Sequence, residues 1–441
     1  MRLINEALRR RKDPVSVAIV GCGWWGSGVA LSFRHTPGLH PRVLVDKDIE
    51  RCVRAFREYG AGNEEILVVE SAADLRRAED HRYVALPEIS MLEELPRLGI
   101  DVIHEATGEV LAGARCALLS IAAGIPFTTV NSEMDATIGL ELARRAAQAG
   151  VLYSNADGDQ PGCLARMLDD IIGWGFEPRI AGIAKGFLDH YQTPQGVMPW
   201  VPAGGNPHMI SAAADGAKTG MELSVVANAF NYPPLQRGMH GPTTDKAGLI
   251  EAYRRVADLD ALDGGHIDFT LGTTEPGMGA PVFVVAYSDD PWLAREMKHY
   301  KKGPGPYYLF FRDHHLGSIE ARATIAEAAL FASAALTPRV WCSEVITMAK
   351  RDLRAGARLD EIGGYDYYGV AERANVAATD GLLPAGLACF ATLLCDVAKD
   401  EPIRYEHVEL EDNVALELRR LQDAGLLGAV GAAGAAGATA S

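Results

Sequence analysis

The phrase Gly21-Cys22-Gly23-Trp24-Trp25-Gly26 restricts what this chain can fold into more than any other stretch of it. It follows a compact apolar run, Val15-Ser16-Val17-Ala18-Ile19-Val20, that reads as a strand buried on both faces. Residues 24–35 then read as a helix. Strand, G-x-G-x-x-G turn and helix in that order give each glycine a task. Gly21 permits the tight turn, Gly23 lets backbone approach a pyrophosphate, and Gly26 lets the helix lie on the strand. The free N–H groups at the helix start favour the diphosphate charge. Trp24 and Trp25 fill the variable positions of the same turn. Twenty residues beyond Gly26, Asp46 closes a second strand over 42–46, where a carboxylate can bond ribose hydroxyls. Asp46 repels a 2′-phosphate, so NAD is favoured; Lys47 and Arg51 follow closely and keep NADP as the alternative.

The strand–helix rhythm continues and predicts an α/β fold with a Rossmann-type doubly wound sheet. A helix is expected over 48–58, a helical excursion over 62–98, a strand over 101–105 and a helix over 110–123, with strands at 126–130 and 151–154. Thr107 and Gly108 follow one strand end and Asn131 and Glu133 another, on the sheet edge where ligands of open sheets bind. Residues 1–160 are therefore expected to form the dinucleotide domain. From 161 to 338 the texture suits an α+β substrate and oligomerisation domain: a helix at 161–174, a proline-containing loop at 191–206, strand-like runs between 215 and 311, and an Ala-rich helix at 321–336. From 339 to 427 a small β-rich module is expected, because the phrases 348–356 and 396–403 each read as strand, basic turn, strand. Residues 428–441 are Gly/Ala low complexity and read as a flexible tail.

Composition excludes several classes. A chain of 441 residues exceeds one core, and 48% hydrophobic residues supply cores of ordinary size. A formal net charge of −16 argues against sequence-independent nucleic-acid binding and anionic membranes, both of which need cationic surfaces. No uninterrupted apolar run reaches membrane-spanning length, and the seven cysteines have no Cys-x-x-Cys spacing that would point to a zinc site. The cytoplasm is the expected compartment and a small molecule the expected partner.

The residues Gly21 to Gly26, Asp46, Glu105-Ala106-Thr107-Gly108 and Asn131 together resemble the homoserine dehydrogenase-like group. The phrases around Lys350 and Lys399 extend the resemblance to the branch of that group with a C-terminal SAF domain. Within it, the 1-deoxy-D-xylulose 5-phosphate reductoisomerase-like enzymes resemble this chain through Gly158-Asp159-Gln160-Pro161, Ala184-Lys185-Gly186, Asp215-Gly216-Ala217-Lys218-Thr219, Glu222, Ala227-Asn228 and Met239-His240-Gly241-Pro242. The resemblance spans about residues 15–410 and departs in two places. Ser132 follows Asn131 where homoserine dehydrogenases carry a lysine, and Phe187 to Pro194 replace a basic, Asn-rich stretch.

What the resemblance implies is hydride transfer to a carbonyl, with the oxygen stabilised as it becomes an alkoxide and a proton delivered to it. It places Lys185 and Lys218 at that task, with Asp215 and Glu222 flanking Lys218 as catalytic partners. Lys218 and Glu222, four apart, would share a helix face. Glu133, Asp159, Asn228 and His240 are the expected substrate contacts, and a buried lysine near another cation would have a lowered pKa. A ketol shift before reduction would use a divalent metal, for which Asp157, Asp159, Glu133 and Asp215 are the oxygen donors on offer, without diagnostic spacing. The reading is an NAD(P)-dependent oxidoreductase acting on a small polar, sugar-like or sugar-phosphate-like carbonyl or alcohol, expected to be a homo-oligomer. The alternatives are homoserine dehydrogenase and a non-catalytic NAD(P)-binding sensor or scaffold.

Overall fold

The computed structural model describes residues 2–202, 205–272 and 281–425; the expected tail over 428–441 lies outside the described residues. A short helix, α1 (Arg2–Arg10), precedes β1 (Val15–Val20), whose apolar side chains are all buried. There follow α2 (Trp24–Ser32), β2 (Leu39–Val45), α3 (Ile49–Tyr59), β3 (Ile66–Val68), α4 (Ala72–Leu75) and β4 (Tyr83–Leu86). The unit closes with β5 (Val102–Glu105), α5 (Val110–Ala123), β6 (Phe127–Thr129), α6 (Ser132–Gln148) and β7 (Tyr153–Asn155). The seven strands form one parallel sheet in the order β3-β4-β2-β1-β5-β6-β7. Chain direction across the sheet reverses between β1 and β5, so the glycine turn opens at the switch point. The expected helical excursion over 62–98 is corrected: this segment supplies β3 and β4 and widens the sheet.

The glycines divide as their tasks require. Gly21 has φ +90°, and a Cβ there would lie 2.7 Å from the Ala106 carbonyl oxygen. A Cβ on Gly26 would lie 1.8 Å from the Gly21 carbonyl oxygen, whereas one on Gly23 would meet nothing within 4 Å among the described residues beyond its chain neighbours. Gly26→Ala must therefore push α2 off β1. We expect it to lose about 3 kcal/mol in denaturant unfolding, with Gly23→Ala unchanged; equal stability of the two variants would contradict this packing.

The second unit contains α7 (Gln160–Gly173), β8 (Glu177–Lys185), α8 (Pro207–Asp215), α9 (Ala217–Phe230) and α10 (Leu249–Val256). It continues through β9 (His266–Leu271), β10 (Val282–Tyr287), α11 (Pro291–His299) and β11 (Tyr307–Arg312) to α12 (Ser318–Phe331). Its mixed sheet has the order β11-β10-β8-β9, with β8 parallel to β9 and β10 antiparallel to both its neighbours. The strand-like reading from residue 215 is corrected at its start, where α8 and α9 meet at Gly216 (φ +93°). α9 is buried almost all round because it passes between α6 and the C-terminal module. α12 returns to the first sheet, burying Ala321, Ile325, Ala326 and Ala328 with Val29 and Ala30 of α2.

In the C-terminal module, β12 (Ser343–Ala349) pairs antiparallel with β13 (Tyr367–Arg373), and after α13 (Ala374–Thr379) and α14 (Ala385–Ala388), β14 (Ala391–Leu393) pairs with β15 (Val408–Leu410). The two phrases singled out in the sequence bridge to each other, Met348 to Pro402 and Leu353 to Val397; the second contains no regular strand. The module is fastened to the rest of the molecule. Leu383 and Leu387 share a core with Met134, Ile138 and Leu142 of α6. Residues 414–425 are helical, and the Gln422 amide enters the hydrogen-bond ladder of α6, accepting from Glu141 N at 3.0 Å and donating to Thr137 O at 3.3 Å. Arg419 meets Glu344 at 2.6 Å in an ion pair almost wholly out of solvent.

Candidate active site

At the dinucleotide end, the Asp46 carboxylate accepts from Cys22 N at 2.7 Å and Asp48 N at 2.9 Å, which fixes it against the glycine turn. Lys47 extends beyond it, exposed, to an ion pair with Glu109 at 3.2 Å. Trp24 is 74% exposed at the lip of the turn, while Trp25 packs inward beside Gly317. No side chain caps α2 at Gly23, so its first N–H groups remain for a ligand, and the open space over Gly23 is where a diphosphate would approach. The residues present fit a dinucleotide. Thr107 lies on the facing loop, donating from N and Oγ1 to Glu105 Oε1 at 2.8 and 2.5 Å, and Gly108 adopts φ +70°.

Asn131, expected at the cofactor, is engaged by the protein itself. Its amide nitrogen donates to Glu105 Oε1 (3.2 Å) and Glu109 O (3.0 Å), and its Oδ1 caps α6 by accepting from Met134 N (2.9 Å). With the side chain so engaged and 1% exposed, it braces the strand ends.

Lys185 and Lys218 both lie beside α9. Lys185 ends β8, and Lys218 lies in the first turn of α9 with Glu222 one turn on. Lys185 Nζ donates to Ala213 O at 2.7 Å and Thr219 Oγ1 at 2.8 Å. Lys218 Nζ lies 3.1 Å from Glu222 Oε1 and 3.7 Å from Asp159 Oδ2. The Gln160 amide, nitrogen inward, donates to Asp159 and to Glu222 Oε1 at 3.3 Å. Glu133 completes the acidic surround, buried, its Oε1 without a hydrogen-bond partner among the described residues.

The surroundings drive the two lysines apart. Burial pulls Lys185 below its usual value; Glu222 and Asp215 oppose this, and Lys218 adds to it. Burial acts on Lys218 too, but Asp159, Glu222 and Glu133 outweigh it and hold that ammonium well above its usual range. Burial pushes Glu222 up to about 7, against Lys218 and assisted by Asp159. Glu133 is also raised by burial, with Lys218 opposing.

Asp215 stands apart from Lys218. Its Oδ2 lies 2.8 Å from Lys350 Nζ, with both side chains at most 3% exposed, and Oδ1 accepts from Ala217 N at 2.8 Å. Lys350 had drawn notice in the sequence only as part of a module phrase; 135 residues separate the partners, and no local pattern links them.

Asn228, an expected substrate contact, is likewise engaged by the protein itself. Its Oδ1 accepts from Cys342 N and Ser343 N, both at 3.0 Å, and its Nδ2 donates to Ser343 O at 3.1 Å, so the amide staples α9 to β12. His240 is held by its backbone N–H on Asp268 beside β9, and among the described residues its ring makes no hydrogen bond to either lysine. The metal donors do not assemble. Asp157 pairs with Arg166 at 3.4 Å and Asp215 with Lys350, while the charge that Asp159 and Glu133 surround is the Lys218 ammonium. Among the described residues no three His, Cys, Asp or Glu side chains are grouped to hold a metal ion, and no helix is long and apolar enough to cross a membrane.

Residues 158–321 match the family model described as oxidoreductase DRL, catalytic domain. No curated protein matches the chain in sequence. Among solved structures, the chain is similar to a myo-inositol dehydrogenase from Corynebacterium glutamicum ATCC 13032, with 11% identity over 72% of this chain and 89% of that one and a TM-score of 0.41. It is also similar to a probable dehydrogenase from Thermotoga maritima (9% identity, 74% and 90% covered, TM-score 0.42). A third is 1-deoxy-D-xylulose 5-phosphate reductoisomerase from Zymomonas mobilis in complex with NADPH (13% identity, 72% and 81% covered, TM-score 0.40). The α/β assignment rests on strand order and the glycine turn. Together with the family match over 158–321, these support an NAD(P)-dependent oxidoreductase.

Proposed function

We propose that this chain reduces, or in reverse oxidises, a small sugar-like or sugar-phosphate-like carbonyl/alcohol with NAD(P), with Lys185 and Lys218 in different roles. The observation that carries this reading is the different setting of two lysines beside one helix end: Lys185 on the neutral acceptors Ala213 O and Thr219 Oγ1, Lys218 between the carboxylates of Asp159 and Glu222. A reduced nicotinamide dinucleotide, held by the Gly23 turn at its diphosphate and by Asp46 at a ribose, would supply the hydride. Lys218, kept charged, stabilises the oxygen as negative charge develops on it. Lys185, with two donors committed to Ala213 O and Thr219 Oγ1, has a third for the substrate oxygen and carries the proton. The unpartnered Glu133 Oε1 supports a substrate bearing hydroxyls, because a buried acceptor left unpaired is costly. A preceding skeletal rearrangement, an SAF-like identity for residues 339–427, a homo-oligomer and a cytoplasmic location belong to the same proposal and rest on the sequence resemblance. Homoserine as substrate is disfavoured, because Ser132, buried at the start of α6, stands where a lysine would assist.

Oxidation of NADH or NADPH should follow addition of deoxyxylulose 5-phosphate or a related sugar carbonyl, and not of aspartate semialdehyde. Tight cofactor binding without turnover on a broad sugar panel would instead favour a sensor. The pH dependence has a definite sign. Below about 7 Glu222 is protonated and Lys218 acts as a fuller positive charge; above it the new carboxylate offsets that charge. The rate of reduction should therefore fall as pH rises through about 7, and Glu222→Gln should flatten the inflection. A wild-type profile without it would remove Glu222 from the account.

A further inference from the structure

The C-terminal module reaches Asp215 by two independent routes. Lys350, just past the end of β12, is buried; its ammonium donates to Gln192 O (2.7 Å) and Gly364 O (2.7 Å) and ion-pairs with Asp215 Oδ2 at 2.8 Å, so three segments meet on it. Tyr368 of β13 stacks on His190, centroids 4.5 Å apart and 17° from parallel, and the His190 ring hydrogen-bonds the Asp215 carbonyl at 2.7 Å. Tyr368 and Tyr191 both donate to Asp400, and Lys399 lies 3.6 Å over the Tyr191 ring. Both routes end at the junction of α8 and α9. That junction carries the Ala213 carbonyl and the Thr219 hydroxyl that orient Lys185.

We propose that Lys350 is a positioning residue for Lys185: by fixing Asp215 it holds the α8–α9 junction, so the C-terminal module helps build the active site. The proposal rests on the role given to Lys185 above, but it can be tested without turnover. The titratable groups facing Lys185 are Glu222, Asp215 and Lys218, and those facing Asp215 are Lys350, His190 and, reciprocally, Lys185. Without Lys350, the Asp215 carboxylate loses its ion-pair partner in a buried site and takes up a proton. Lys185 then loses a negative neighbour that helps it keep its own proton.

The test is trace acetylation of the full-length protein with isotopically labelled acetic anhydride across pH, read lysine by lysine by mass spectrometry, with exposed Lys47 as internal reference. Lys350→Gln should lower the Lys185 midpoint by about 1 pH unit, and Lys350→Arg should restore most of it. Asp215→Asn should give the same downward shift, and the double variant no more than either alone. A folded Lys350→Gln protein with an unmoved Lys185 midpoint overturns the proposal. If that variant does not fold, the near-isosteric Asp215→Asn decides, since an unmoved midpoint there cuts the same path. Failure of cofactor binding, measured separately, would sink the oxidoreductase reading without touching this one.

Discussion

Lys218→Met should lower kcat/KM for carbonyl reduction by about 10³-fold while leaving NADH affinity unchanged. The side chain stays unbranched, is one heavy atom shorter and loses its charge. In the wild-type protein Asp159, Glu222 and Glu133 hold that ammonium charged, so the site presents a fixed cation that needs no rearrangement as the alkoxide forms. After substitution the three carboxylates have lost this cation, and burial drives protons onto them, so the fold survives at reduced stability. Lys218→Arg should recover part of the rate, limited by the different shape of its charge. Full turnover by Lys218→Met would show that the lysine balances the carboxylates and does nothing for the substrate.

Gly23→Val should abolish detectable dinucleotide binding, with a loss of about 100-fold or more, equivalent to about 2.7 kcal/mol, at an unchanged melting temperature. The two halves of that result come from the same geometry. Gly23 has φ −71° and ψ −159°, an extended backbone that a β-branched residue adopts without strain, and among the described residues beyond its chain neighbours no atom lies within 4 Å of the added Cβ. The space it fills is the space left for the diphosphate. Gly26→Ala, whose Cβ would overlap the Gly21 carbonyl, damages the fold instead. Cofactor binding by Gly23→Val equal to wild type would mean that this turn holds no diphosphate.

What the sequence disclosed about the fold follows from range. The glycine turn, β1 and α5 were legible because turn chemistry, a buried run and a helix boundary act over a few residues. β3 and β4 were missed: three and four residues long, set among charged segments, they become strands only by pairing within the sheet. The helix over 217–230 was legible only through the Lys218–Glu222 spacing, because α9 is buried on nearly every side, which erases the one-sided pattern that marks a surface helix, and Gly220, Val225 and Val226 argue locally against helix. The site divides in the same way. Lys218 and Glu222, four apart, were readable as neighbours, whereas the Lys350–Asp215 pair exists only through the docking of a distant module. Asn131 and Asn228 stood in phrases that carry the family resemblance, yet their amides brace backbone; sequence cannot separate a polar residue that serves a ligand from one that caps a helix or ties two segments.

The central claim, a nicotinamide-dependent oxidoreductase, is tested most directly by titrating the wild-type protein with NADH and with NADPH, following nicotinamide fluorescence. The account predicts saturable, one-to-one binding of at least one of them, with NADH the tighter if Asp46 reads the ribose and NADPH the tighter if Lys47 turns from Glu109 to a 2′-phosphate. No saturable binding of either would contradict it.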